Sequence, residues 1–264
     1  NFLSKCPMIR RARLPFVFLA FLSLLLGLWT GLHRLGWNLS LLSTSLHHGT
    51  IMVGGFLGTL ISLEKIIPLK KKSPYAIPLL SATAVAMFLA DLPYFAFFLL
   101  VLASTGLVFV FIYYLVKEKN LIYVLMAAGA LCWLTGNLLL ISERFYPLAF
   151  PWWLAFALFI IAAERLELMK FLPVAPGTRK VLVIFFAVYL VGAVLSFHGP
   201  GNLVCGLALI AISLWLLRYD IIGISMRREG LTRYVAVALL AGYTTLLFTG
   251  IFFIALGPQV MGYD

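Results

Sequence analysis

The chain has 264 residues, 63% of them hydrophobic and only 11% charged, with a mean hydropathy of +1.07. Apolarity of this degree excludes a soluble globular domain and predicts an all-α, polytopic integral membrane helical bundle. The formal net charge of +11 would point to nucleic acid in a soluble protein, but in a membrane protein its placement matters more than its total, and no nucleic-acid partner is expected.

The first residue is Asn1 rather than Met, so residues ahead of it are expected. Leu14 to Leu32 is too long and too glycine-marked to be a cleaved signal. Apolar stretches of spanning length, bounded by charges or Pro/Gly turns, occur at 14–32, 46–67, 75–90, 93–116, 121–141, 150–168, 180–197, 202–219 and 232–256, about nine in all. The third is short, and Asp91, Leu92 and Pro93 predict a tight turn into the fourth. If that third stretch failed to cross, everything after it would be inverted.

Charge arbitrates. With nine crossings, the basic residues before the first span, those closing the second (Lys65, Lys70, Lys71, Lys72), Lys117 and Lys119, and the clusters at 165–180 and 218–233 all share one side. Only Arg34 and Arg144 remain on the other. Positive-inside bias then predicts an N-terminus in the cytoplasm and Asp264 outside, and the expected location is the plasma membrane of a prokaryote. The basic rim orients the bundle and attracts anionic lipid.

The densest signal is Ser45 to Lys72, SLHHGTIMVGGFLGTLISLEKIIPLKKK. Fifteen residues without an ionisable group separate His48 from Glu64. At about 1.5 Å per residue, roughly 24 Å divides them, most of a hydrocarbon core. On α-helical periodicity His48, Met52, Gly55, Thr59 and Ser62 share one face, and His47, Ile51, Gly54 and Gly58 the next. Two readings stand open. Glycines at this spacing let another helix approach closely; equally, small residues below a histidine leave room for a flat macrocycle or a metal, with the imidazole as axial ligand.

All four histidines (His33, His47, His48, His198) fall at the outer ends of their spans, whereas a pore or pump needs ionisable groups at mid-depth. There Asn137 is the most polar residue, and Tyr243, Thr244, Thr245 and Thr249 form a stripe whose hydroxyls can bond back to their own backbone. Trp29, Trp37, Trp133, Trp152 and Trp153 fall where an aromatic belt is expected. Cys6, Cys132 and Cys205 are scattered, with no disulfide framework or thiolate metal pattern.

An internal similarity links Ile61-Ser-Leu-Glu64-Lys65 to Ile161-Ala-Ala-Glu164-Arg165, four spans later. Either it marks a parallel repeat (14–116 and 121–219, with an extra helix at 232–256, in one domain of residues 1–264), or inner helix ends simply attract Glu beside a cation. Glu64, Lys65, Glu164 and Arg165 are the candidate structural ion pairs; if the repeat is real, Glu64 and Glu164 are equivalent and each is expected to meet a basic partner from a neighbouring helix, because an unpaired carboxylate at that depth is costly.

The stretch LHHGTIMVGGFLGTLISLEK resembles the second helix of membrane proteins similar to haem-copper oxidase subunit I and of the NnrS type. In those proteins a histidine near the outer face, followed by Met and Gly-Phe, binds haem. AAERLEL and Leu214 to Arg233 resemble the same group, so the likeness covers most of the chain. It implies haem b held by His48 or His47, with His198 as second ligand. The pattern departs from the oxidases: Phe150 to Leu168 has no histidine for copper and the seventh span has no histidine pair, so oxygen reduction is not expected. The family's next helix after nine would carry the partner of His48; the chain stops short of it, or His198 or nothing supplies that ligand.

Three functions follow. The first is a haem- or metal-binding subunit at the outer leaflet, for electron transfer to a redox partner or for binding a diatomic gas. The second is a small-molecule transporter on a four-helix repeat, tested at Asn137, Asp91 and the two glutamates. The third is a non-catalytic structural subunit packed against other membrane subunits. No catalytic residues are indicated, since nucleotide-loop, triad and metalloprotease signatures are all missing from the sequence.

Overall fold

The computed structural model describes residues 13–37, 42–169, 176–195 and 199–256. Long apolar runs fold as helices because a backbone surrounded by lipid must bond to itself. In chain order these are α1 (Leu14–Arg34), α2 (His48–Leu69), α3 (Ala76–Leu89), α4 (Pro93–Lys117), α5 (Leu121–Glu143), α6 (Tyr146–Leu168), α7 (Pro176–Val194), α8 (Pro200–Tyr219) and α9 (Leu231–Leu256). Single helical turns at Leu42–Ser45 and Ile222–Ser225 lie between them. Among the described residues 8 helices are long and apolar enough to cross a membrane; α3, with the turn before it, makes a shorter apolar helix, Ser73–Leu89.

Local chemistry sets the boundaries. Proline in the first turn opens α1, α4 and α8, where its missing N–H costs nothing. Asn120 caps α5, its side chain accepting from the Ile122 N–H at 3.2 Å. The reversals after α2, α3 and α5 turn on left-handed residues, Lys70, Asp91 and Arg144, with φ of 52°, 58° and 55°. Arg144 also lies 4.6 Å over the Tyr94 ring, tying the end of α5 to the start of α4.

Residues 1–157 and 158–264 form two compact units, divided within α6. In the first, α2 is the hub, flanked by α1, α3 and α4. Although α3 has only 14 residues, about 21 Å of helix, it covers the depth of its neighbours. Its entry is marked by Tyr75, 5.8 Å from Phe16 at the start of α1; its far end by Phe88, stacked 4.6 Å from His47 at the head of α2. In the second unit, α8 packs against both α7 and α9. There Gly206 and Gly250 face each other so closely that a Cβ on either would lie 2.8 Å from the other's carbonyl oxygen.

The aromatic belt divides. Trp29 and Trp37 are exposed on the bundle surface, but Trp133 and Trp153 are buried, at 0% and 3% exposure, and belong to the interior. Trp133 stacks on Phe156 at 5.0 Å, and Trp153 anchors a polar network described below.

Candidate functional site

The first turns of α2 are not a uniform α-helix. His48–Thr50 is α-helical, Ile51–Gly58 is a π-helix, and Thr59–Ile66 is α-helical again. A π-turn is wider than an α-turn, so faces assigned at α-periodicity slip through this stretch. The glycines accordingly look in different directions. Gly54 meets Leu100 of α4, Gly55 meets Val85 of α3 and Ser23 of α1, and Gly58 meets Trp133 of α5 and Ser81 of α3. A Cβ at any of these would collide with a side chain already in place, so within the bundle the space beside the glycines is filled by neighbouring helices. The helix-packing reading of the small residues describes this geometry.

The two histidines at the head of α2 are held differently. The His48 ring lies over Gly31, where a Cβ would come within 3.0 Å of Cε1. Its Nδ1 lies 2.8 Å from the Gly27 carbonyl oxygen. A carbonyl can only accept, so Nδ1 carries the proton in that bond and Nε2 of the neutral ring is a lone-pair donor. Nε2 makes no hydrogen bond to another described residue and is not sealed from its surroundings. Thr30 closes the arrangement: its hydroxyl donates to Gly27 and Leu26 and stands 3.4 Å from His48 Nδ1.

His47 meets a different kind of partner. Its Nδ1 is in very short contact with the Tyr146 hydroxyl, which also accepts from Thr50 Oγ1 at 3.2 Å. Its ring is stacked on Phe88 and edge-on to Phe97, at 4.6 and 5.8 Å between centroids. Burial lowers the imidazole pKa from its ordinary 6.5, opposed in part by the Asp91 carboxylate. Of the pair, His48 keeps Nε2 free of a described hydrogen-bond partner, whereas His47 is packed among aromatic rings and bonded to Tyr146. His198 lies outside the described residues, and those residues hold no group of three His, Cys, Asp or Glu side chains able to chelate a metal.

Asn137 is enclosed by partners. Its side-chain N–H groups donate to Leu100 O and Ser104 Oγ, each at 3.2 Å, and its Oδ1 accepts from Trp153 Nε1 at 3.0 Å. Glu64 pairs at 2.8 Å with Lys65, the next residue in its own helix and not a cation from a neighbouring helix. Glu164 and Arg165 lie in the second unit near the end of α6, and Arg165 lines a cavity there. Thr244, Thr245 and Thr249 bond back to carbonyls one turn earlier, whereas Tyr243 donates to the buried Asp220 carboxylate at 2.8 Å. Tyr146 did not stand out in the sequence, and Tyr243 did so only as one member of a polar stripe on its helix. Their partners are 99 and 23 residues away, and no short-range pattern marks either contact.

Fold and site together define a multi-pass α-helical membrane protein with a tautomer-fixed histidine at one helix head. Residues 13–264 match the family described as Domain of unknown function (DUF8744), and the chain belongs to that family. No curated protein and no solved structure matches it.

Proposed function

We propose that this protein holds a haem-class metal complex at the outer leaflet of a prokaryotic cell membrane, with His48 Nε2 as the protein's axial ligand and the N-terminus in the cytoplasm. The observation that supports this is the bond from His48 Nδ1 to the Gly27 carbonyl, a contact of the kind that fixes the tautomer and orientation of metal-bound histidines. A single prepared imidazole suits a macrocycle that brings its own four equatorial nitrogens. It does not suit a bare ion needing three or four side chains. Because the spaces beside Gly54, Gly55 and Gly58 are occupied, such a group would approach His48 from the rim of the bundle. A second axial ligand would make the site an electron carrier toward a redox partner; an open position would let it bind a diatomic gas.

Protein produced with ample haem is expected to show a Soret band that His48→Ala removes and His47→Ala retains, with His198→Ala separating one axial ligand from two. A colourless wild type, or a band that persists in His48→Ala, refutes the assignment. A second reading, a structural subunit for a membrane assembly, draws on the filled glycine faces and gains if the folded protein is colourless. A transporter is the weaker alternative, since every hydrogen-bonding atom type of Asn137 already has a partner.

A further inference from the structure

The second unit contains a cavity of about 320 Å³ between the end of α6, the turn Ile222–Ser225 and the start of α9. Most of its lining is apolar, including Leu168, Leu231, Val235 and Leu239. Three polar side chains open onto it: Arg165, Ser225 and Thr232. None of the three forms an ion pair or side-chain hydrogen bond with another described residue. The Asp220 carboxylate is already engaged by the Tyr243 hydroxyl and the Ile221 N–H, each at 2.8 Å, and neither it nor Glu164, Glu167 or Glu229 lines the cavity.

Position and charge define the occupant. Leu168 ends one membrane-length helix and Leu231 begins another, which sets the cavity at the boundary between hydrocarbon and headgroups. The segment leading into α9 adds exposed Arg227, Arg228 and Arg233 against a single acidic residue, Glu229. We propose that the cavity is a site for an anionic glycerophospholipid. Arg165 and the hydroxyls of Ser225 and Thr232 hold the phosphodiester, and the acyl chains run along Leu231, Val235 and Leu239. Guanidinium and hydroxyl donors match phosphate oxygens, and a basic pocket between membrane helices on the positive side is the setting in which acidic headgroups bind.

The test uses the full chain, delipidated in detergent, with thermal unfolding and lipid retention by native mass spectrometry as readouts. Phosphatidylglycerol is expected to raise the midpoint and stay bound, phosphatidylcholine to do neither, and inorganic phosphate alone to have no effect. Arg165→Gln should weaken phosphatidylglycerol retention about fivefold, the effect of one basic residue at a membrane surface. Val235→Trp, which fills the cavity from an exposed position, should weaken it without touching the charge, and so serves if Arg165→Gln does not fold. Equal responses to the two lipids, or phosphatidylglycerol binding undiminished in whichever variant folds, overturns the proposal. A response to inorganic phosphate as large as that to the lipid assigns the cavity to a free anion and overturns it too.

Discussion

His47 and His48 are consecutive in the chain, yet their Nδ1 atoms meet different partners, a tyrosine hydroxyl for His47 and a backbone carbonyl for His48. Gly27, whose carbonyl accepts from His48, and Tyr146, whose hydroxyl meets His47, lie on α1 and α6, so no local pattern could separate the two rings. The presence of a histidine pair at a helix head was readable from sequence; the partner each ring takes was not. The lowered pKa of His47 has a consequence for pH. Its neutral form is favoured in the fold and its folded pKa lies below its unfolded value, so the unfolded chain takes up the proton first. Stability is therefore fully present above 6.5 and lost as pH falls through the lowered value. Unfolding midpoints in detergent should drop across that acidic range, and His47→Asn, which keeps a polar group near Tyr146, should flatten the slope. Asn137 was expected as the polar centre of the membrane interior and is, but as a satisfied crosslink. Trp153→Phe removes the donor to its Oδ1 and should cost about 1–3 kcal/mol of stability, leaving any Soret absorbance unchanged.

The ends of most helices agree with the apolar runs to within a few residues, because span length and charge are properties of composition. The π-stretch Ile51–Gly58 is different: nothing in its residues announces a wider turn, and it redirects the glycines onto three neighbouring helices. Only the contacts show which glycines are needed. At Gly250 a Cβ would meet backbone atoms, Gly206 O at 2.8 Å and Ile210 N at 3.0 Å, and backbone cannot swing aside. At Gly242 nothing lies within 4 Å. Alanine in a helix interior gains about 0.5–1 kcal/mol over glycine, whereas overpacking costs about 1–3 kcal/mol. Gly250→Ala should therefore destabilise the protein and Gly242→Ala should leave it unchanged or slightly stabilise it, a difference in sign that thermal unfolding of the two variants would show.

For the molecule as a whole, the short third helix decides the topology. Composition made α3 the weakest of the spans, and its 14 residues fall short of a hydrocarbon core of about 30 Å. Its contacts favour a full crossing: one end lies beside Phe16 and the other beside His47, residues at opposite ends of the α1–α2 pair. Local thinning of the bilayer or anchoring by flanking residues accommodates a mismatch of this kind. The charge pattern gives the same result independently, since an uncrossed α3 would move Lys117 and Lys119 to the side of Arg34 and break the positive-inside bias. Cys132 and Cys205 are buried, so single-cysteine reporters can be placed in a Cys6→Ser background. With a membrane-impermeant thiol reagent, Gly36→Cys and Arg144→Cys should label from one face, and Lys71→Cys, Lys119→Cys and Arg228→Cys from the other. If α3 only dips into the membrane, Lys119→Cys and Arg228→Cys would instead label with Gly36→Cys, and Arg144→Cys with Lys71→Cys. The Arg165 cavity would then be carried from the basic leaflet to the opposite one, while His48, which precedes α3, would stay where it is.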